Sequence, residues 1–223
     1  IENIRDIDDS YKGYDVTSKN FDVKNFEKLE MKNISFNYES PNKKIFKNLN
    51  FSLKKGECIG IVGTTGIGKS TFVDIFCGLL KQKNGDLFIN QKKVNNFDIN
   101  WNNLIGYVPQ NYYLIDGSMK ENIAFGQIEN EINLKKLHKS IEVSQLNDLV
   151  NSLELGINTK IGERGIKFSG GQKQRLAIAR ALYFEPEIII FDESTSALDN
   201  ETEKKLMETI TKLIGTKTII IIS

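Results

Sequence analysis

One stretch, GTTGIGKST at residues 63–71, constrains the fold of this chain more than any other feature. It follows an apolar run at residues 58–62 and precedes another at residues 72–76, an order that predicts a strand, a glycine loop and a helix. The spacing G-x-x-x-x-G-K-S is that of the phosphate-binding loop of nucleoside triphosphatases. A glycine-rich turn that matches by chance is the alternative, and the two correct flanks argue against it.

The residue types of this loop suit phosphate binding. Gly66 and Gly68 let the backbone curl so that successive N–H groups face phosphate oxygens, and the following helix adds the positive end of its dipole. Lys69 is expected to reach the β- and γ-phosphates, and the Ser70 hydroxyl is expected to hold Mg²⁺. The predicted phosphate-binding residues are Gly63, Thr64, Thr65, Gly66, Ile67, Gly68, Lys69, Ser70 and Thr71.

The composition is that of an ordinary globular chain. Its 223 residues suffice for one sizeable domain, and the net charge of +1 argues against a nucleic-acid partner. No apolar run approaches the length of a membrane span, and the N-terminus lacks the pattern of a signal peptide. Cys58 and Cys77 lie in apolar runs, which favours two buried thiols over a disulfide or a metal site.

Hydrophobic periodicity predicts the order of the elements. Residues 1–28 are polar and are interpreted as a linker or arm, and the stretch at about 111–168 predicts an inserted helical subdomain. Alternating residues ahead of the loop predict an antiparallel β subdomain, so the expected fold class is α/β. The predicted strands are 29–38, 45–53, 85–89, 105–108, 188–191 and 218–222, and the predicted helices are 118–124, 133–140, 144–153, 172–182 and 201–214.

Two further motifs can carry chemistry. The buried strand at 188–191 ends in Asp192 and Glu193, where the first acid would hold Mg²⁺ and the second would orient the water that attacks the γ-phosphate. Two acids that merely end a strand at the surface are the alternative.

Ser169, Gly170 and Gly171 precede Gln172 at a predicted helix start, where N–H groups and a hydroxyl can form a second anion site. One nucleotide cannot easily use two phosphate sites in one subunit, so this site is expected to face another subunit's nucleotide. A Ser N-cap with a flexible glycine entry is the alternative.

In the order of these motifs, the chain resembles the ATP-binding cassette (ABC) family over about residues 29–223. Residues 63–71 match the Walker A loop, residues 168–172 match the signature motif, and residues 188–193 match the Walker B strand. Phe168 stands where the family's signature usually has Leu, while Ser169 and the glycines are intact. The resemblance implies a P-loop core with a mostly parallel sheet.

The resemblance also implies roles for single residues. Tyr38 would stack on adenine, although a lone tyrosine on an edge strand is an alternative, and Asp199 would lie in the D-loop that crosses to the partner. Gln110 would sense Mg²⁺ and the attacking water. The implied cofactors are ATP and Mg²⁺. The implied catalytic residues are Glu193, Gln110 and Lys69, and the implied metal-site residues are Ser70, Gln110 and Asp192.

The implied assembly is a head-to-tail pair of copies that sandwiches two ATP molecules. Residues 117–126 and 159–165 resemble segments of ABC exporters, and the second resembles the X-loop that contacts transmembrane domains. This implies attached transmembrane domains in the same polypeptide and a place on the cytoplasmic face of the bacterial inner membrane.

The cargo is the least constrained part of the resemblance. Residues 72–80 resemble flippases of lipid-linked oligosaccharides, with a drug or lipid A exporter as an alternative. A soluble ABC ATPase that acts on DNA or ribosomes and a small-molecule P-loop kinase are the rival classes.

One residue of the family pattern is not found. The family carries a switch histidine directly after the last buried strand, and here the sequence stops at Ser223, so we expect a truncated C-terminal end. His138 is the only histidine, and it is expected to be a solvated helix residue.

Overall fold

The computed structural model describes residues 26–38, 44–94, 104–162, 165–166, 168–192 and 200–223. These residues form two four-stranded sheets and the helices that pack around them. The strands are β1 (Lys28–Asn37), β2 (Lys44–Lys54), β3 (Cys58–Ile61), β4 (Asn84–Ile89), β5 (Lys92–Val94), β6 (Ile105–Val108), β7 (Ile188–Asp192) and β8 (Thr218–Ile222). The α-helices are α1 (Lys69–Phe76), α2 (Met119–Ile123), α3 (Leu134–Val143), α4 (Asn147–Ser152), α5 (Gly170–Tyr183) and α6 (Asn200–Leu213).

The first sheet is antiparallel and has the strand order β2-β1-β4-β5. Alternation along β1 buries Leu29, Met31, Ile34 and Phe36 while the residues between them are more exposed, and a register shift interrupts the pairing between Met31 and Ile34. The predicted antiparallel sheet ahead of the phosphate loop is therefore confirmed, and β4 extends it beyond the loop.

Strand β5 was not predicted from the sequence. It is only three residues long and joins β4 through Asn90 and Gln91, whose φ angles are 49° and 66°. Two successive residues with positive φ form the type of tight turn that matches the twist of a hairpin, and Asn favours it. The asparagine after the apolar end of β4 was the available signal, because three residues are too few to show a period.

The second sheet is parallel and has the strand order β3-β8-β7-β6. All five residues of β7 are buried, as the run of apolar residues predicts for a central parallel strand. Parallel pairing places the carboxyl ends of β3, β6 and β7 at one edge of the sheet. That edge is where ligands bind in open α/β sheets.

Helix α5 lies against this sheet at close range. A Cβ atom added to Gly106 in β6 would lie 2.6 Å from the carbonyl oxygen of Ala181, so only glycine permits this approach. Ile178 of α5 and Ile210 of α6 share a hydrophobic core with β7 and β8. Helix α5, which begins within the signature-like residues 168–172, therefore packs closely against β6, the strand that leads to Gln110.

A second hydrophobic core lies among the helices between β6 and α5. Met119, Ile123, Leu137 and Ile141 pack there against Leu176 of α5. This confirms the helical subdomain of the predicted fold class, which is built on the side of α5.

The Arg180 side chain joins α5 to this helical subdomain. Its Nε donates to the Asn122 carbonyl at 2.7 Å, and another of its nitrogens donates to the Tyr113 carbonyl at 2.7 Å. Buried Asn122 in turn donates to the carbonyls of Ile115 and Ser118. The segment that follows Gln110 is thus tied to α5 by hydrogen bonds as well as by packing.

The prediction of two buried thiols is wrong for Cys58, which is exposed. Cys58 begins β3, and among the described strands β3 pairs on one side only, with β8, so the sheet leaves this residue uncovered. Cys77 is partly buried, and both cysteines are free. His138 is exposed on α3, as predicted. None of the described helices is long and apolar enough to cross a membrane.

Candidate nucleotide site

The phosphate loop connects β3 to α1 and takes the curled path that its glycines allow. Gly66 and Gly68 have φ angles of 83° and 113°, in the left-handed region that favours glycine. Gly68 is also closely surrounded, since an added Cβ would lie 2.6 Å from Cγ2 of Ile45. The Ile67 amide donates to the Thr64 carbonyl and closes a tight turn at the tip of the loop.

Helix α1 begins without a side-chain cap, because its N-cap residue is Gly68. The Lys69 ammonium lies back over the loop and donates to the Gly63 carbonyl at 2.6 Å. Ser70, the next residue, is exposed. The site therefore presents a cation, a hydroxyl and the positive end of a helix dipole on one loop, which is an arrangement that attracts phosphate.

Tyr38 comes directly after β1, and its hydroxyl lies 3.1 Å from the Thr71 hydroxyl of α1. The Phe36 ring packs edge-on against the Tyr38 ring at 5.0 Å, yet 43% of Tyr38 remains exposed. The two contacts fix an exposed aromatic ring beside the phosphate loop. This placement is compatible with adenine stacking.

Asp192 ends β7 at the same edge of the sheet and is 9% exposed. The Tyr107 hydroxyl, on neighbouring β6, donates to Asp192 Oδ2 at 2.8 Å. Burial, and then the hydrogen bond to Asp192, raises the pKa of Tyr107, so the phenol keeps the proton that it donates. Gln110 is exposed two residues after β6, beyond the end of the strand.

A second acid, Asp74 on α1, is partly buried and interacts electrostatically with Asp192. Burial raises its pKa, and the negative charge of Asp192 raises it further. Burial raises the pKa of the Cys77 thiol to about 12, with the charges of Asp74 and Asp192 as further causes. Cys77 is therefore a protonated packing residue and not a nucleophile.

The signature residues form an N-terminal capping box on α5. The Ser169 hydroxyl accepts from the Gln172 amide at 3.3 Å, and Gln172 Oε1 accepts from the Ser169 amide at 2.9 Å. The Tyr112 hydroxyl donates to the Gly170 carbonyl. The Ser N-cap that was the alternative interpretation is thus present, and its geometry does not exclude anion binding, because a hydroxyl that accepts can still donate its own proton.

The structure brings some of the predicted site residues together and separates others. The phosphate loop and Asp192 lie at one edge of the parallel sheet, with Tyr38 next to α1. Ser169 caps a helix whose start packs in the other core, that of the helical subdomain. Glu193 and Asp199 lie outside the described residues, as do Glu163 and Arg164 of the X-loop-like segment.

Three participants were missed by the sequence analysis: Tyr107, Asp74 and the hydroxyl of Thr71 as a partner of Tyr38. Tyr107 had a signal, because it lies on a predicted strand and precedes Gln110 by three residues. Asp74 had one as well, since it is an acid within an otherwise apolar helical run. Tyr38 and Thr71 are 33 residues apart in the sequence, so local sequence patterns cannot predict that they pair.

Comparisons with known proteins agree with this geometry. A family model described as "ABC transporter" matches residues 46–196. A "Putative export ATP-binding/permease protein" of Rickettsia conorii is 41% identical over 199 residues, which cover 87% of this chain and 34% of that protein. A "Leukotoxin translocation ATP-binding protein" of Mannheimia glucosida is 39% identical, covering 87% of this chain and 27% of that protein.

A solved structure of a bacterial Atm1-family ABC exporter with ATP bound is also similar. It superposes with a TM-score of 0.77 and 31% identity, covering 89% of this chain and 34% of the exporter chain. The chain thus spans about a third of the length of these relatives. Because the family model covers more than half of the chain and carries the phosphate loop, the signature and the acidic strand end, the chain belongs to the ABC transporter family, as its ATP-binding ATPase domain.

Proposed function

We propose that the domain binds Mg-ATP between the phosphate loop and Asp192 and hydrolyses it to drive export across a membrane. The observation that carries the proposal is the start of α1, where Gly68 supplies no side-chain cap and Lys69 lies over the loop. A helix N-terminus without its own cap, beside a cation, has hydrogen-bonding capacity for phosphate oxygens.

The donor set fits Mg²⁺. Among the described residues no group of three or more His, Cys, Asp or Glu side chains could hold a metal by itself. Mg²⁺ does not need such a group, because it retains waters and binds one or two protein oxygens together with substrate phosphates. Ser70, Asp192 and Gln110 would supply the protein oxygens. The bound ion would neutralise charge that develops on the phosphates during transfer.

The remaining chemistry is positioning. Lys69 would exchange its bond to the Gly63 carbonyl for phosphate oxygens, and Tyr38 would present its ring to adenine. Glu193 would orient and polarise the attacking water, with Gln110 at the same water. Phosphoryl transfer requires little covalent participation by the protein, so positioning and electrostatic stabilisation would supply most of the catalysis.

A second copy would complete each site. Ser169, Gly170, Gly171 and Gln172 of one copy would meet the γ-phosphate held by the other, with Asp199 near the junction. Ser169 can contribute its hydroxyl proton, since its oxygen already accepts from Gln172. Closure of such a sandwich would move the attached transmembrane domains, and hydrolysis would reopen it.

The export role is supported by the named functions of two relatives and by the solved exporter. We propose that transmembrane domains belong to the same polypeptide, that residues 1–28 link them to this domain, and that the domain works at the cytoplasmic face of the bacterial inner membrane. Among cargoes we propose a lipid-linked oligosaccharide, on the resemblance of residues 72–80 to flippases, with a drug or lipid A as the alternative.

The test uses the full-length protein with Glu193→Gln, which should bind ATP and stop before hydrolysis. We expect light scattering of the detergent-solubilised protein, combined with crosslinking between copies, to show closed domains with Mg-ATP and open domains with ADP. The wild-type protein in liposomes should move a fluorescent lipid-linked oligosaccharide with ATP, and the variant should not. Domains that stay apart with Mg-ATP would refute the sandwich. Stimulation of ATPase activity by drugs, without lipid movement, would refute the cargo.

A further inference from the structure

The Asp192 carboxylate has one hydrogen-bond partner that the proposed function leaves without a role. Tyr107 in β6 donates its hydroxyl to Asp192 Oδ2 at 2.8 Å across the parallel pairing that sets Tyr107 opposite Ile190. Asp192 is 9% exposed, and a carboxylate this buried requires hydrogen-bond donors. The bond therefore restricts a carboxylate that few water molecules can reach.

The chemistry of the donor is informative. Lys and Arg are the usual partners of buried carboxylates, and either would neutralise the charge. Among the described residues Asp192 forms no ion pair, and its donor is a neutral phenol. A phenol fixes the direction of the carboxylate and leaves its negative charge available. That combination suits a group that must attract a cation.

The surrounding charges point the same way. Asp74 of α1 is a partly buried acid whose pKa is raised by burial and further by the negative charge of Asp192, and the Cys77 thiol stays protonated. Tyr107 packs against the main hydrophobic core, so its hydroxyl approaches from the apolar side. A cation that binds here would relieve the repulsion between the two acids.

We propose that Tyr107 is a positioning residue for Mg²⁺: its hydroxyl holds Oδ2 of Asp192, so that the other carboxylate oxygen serves the metal. The inference rests on the proposed Mg-ATP site. It adds a residue outside the phosphate loop, the signature motif and the Walker B acids, and it links the strand that precedes Gln110 directly to the metal ligand.

The test is Tyr107→Phe, which removes one oxygen and keeps the ring. ATP binding is measured by calorimetry on the domain of residues 1–223 at a series of Mg²⁺ concentrations and in EDTA. We expect the Mg²⁺ concentration for half-maximal enhancement of binding to rise about three- to tenfold, because the carboxylate loses the orientation that one hydrogen bond provides. Affinity in EDTA should change less than about twofold, which also reports an intact fold.

Tyr183→Phe is the matched control. Tyr183 is a buried tyrosine whose hydroxyl accepts from the Asn133 amide at 2.8 Å, in the helical subdomain. It should leave the Mg²⁺ dependence unchanged. Equal Mg²⁺ dependence in wild type, Tyr107→Phe and Tyr183→Phe would overturn the inference and leave the proposed function standing.

Asp192→Asn supplies a second measurement. If Tyr107 acts through Asp192, then adding Tyr107→Phe to Asp192→Asn should cause no further loss of Mg²⁺ dependence. A further loss would show that Tyr107 acts by another route and would overturn the inference. If the ATP affinity of the wild-type domain does not depend on the Mg²⁺ concentration, the proposed Mg-ATP site is refuted, and the inference is refuted with it.

Discussion

The two glycine-flanked helix starts of this domain, those of α1 and α5, are built in opposite ways. Helix α1 has Gly68 as its N-cap residue, which has a left-handed φ of 113° and provides no side-chain cap. Helix α5 has Ser169 as its N-cap residue, and Ser169 and Gln172 form a complete capping box. One helix start has no side-chain cap for its first amides, and the other is capped by its own side chains.

This difference separates folding from binding at the two sites. At α1 the loop geometry is specified by glycine, and in the proposed site the residue types would serve phosphate rather than the helix. At α5 the serine caps the helix, and under the proposed sandwich it would contact a partner's phosphate only in the assembled pair. Substitutions at α1 should therefore act on nucleotide binding first, and those at α5 should act on helix stability and assembly.

The largest effect is expected at Lys69. Lys69→Ala removes the cation of the phosphate site, and charged hydrogen bonds contribute about 1.5–3 kcal/mol, so the dissociation constant for ATP should rise at least about tenfold. Lys47→Ala, on an exposed position of β2, is the control and should leave it unchanged. Calorimetric titration checks both. Equal affinity in the two variants would contradict the assignment of α1.

Matched glycine substitutions sharpen the comparison. Gly68→Ala places a Cβ at a φ of 113° and 2.6 Å from Ile45, so it should cost about 1–3 kcal/mol of unfolding free energy. Gly170→Ala meets no atom within 4 Å, and its unfolding free energy should stay equal or rise by less than about 1 kcal/mol. Urea denaturation measures both. Under the proposed sandwich, Gly170→Ala should still weaken ATP-dependent pairing.

Much of this contrast could be predicted from the sequence, but not all. The glycine loop, strand β7 and the start of α5 follow from residue spacing and apolar runs, because each depends on neighbours in sequence. Tyr107 with Asp192, and Tyr38 with Thr71, are pairs that only the tertiary packing creates. The exposure of Cys58 was missed for the same reason, since an apolar run does not show which strand lies at a sheet edge.

Substitutions of Ser169 can separate its capping of α5 from its proposed contact with the partner's phosphate. Ser169→Ala removes the cap of α5 and should lower the unfolding free energy by about 1 kcal/mol, whereas Ser169→Asn should preserve it, because Asn caps as well as Ser. Both variants lose the hydroxyl proposed for the partner's phosphate, so both should reduce ATP hydrolysis by the full-length protein. Denaturation and ATPase assays would distinguish the roles. Full activity in Ser169→Asn would restrict Ser169 to capping.

The smallest expected effect on stability concerns a third helix start, that of α2, whose capping box contains a titratable carboxyl group. Ser118 and Glu121 form it, and the Ser118 hydroxyl, followed by the Ser118 amide, lowers the pKa of Glu121 below its ordinary value near 4.5. A lowered folded pKa adds stability above the unfolded pKa, and that stability is lost as the pH falls through the folded value. Glu121 is exposed and screened by solvent, so the difference should stay below about 1 kcal/mol.

The neutral box of Ser169 and Gln172 has no such dependence. Glu121→Gln converts the α2 box to the same type, so wild type should exceed this variant in unfolding free energy at pH 7, and the gap should close below about pH 4. Urea denaturation across this pH range measures the gap. A gap that persists at low pH would mean that Glu121 stabilises α2 by packing rather than by its charge, and that the two boxes are alike.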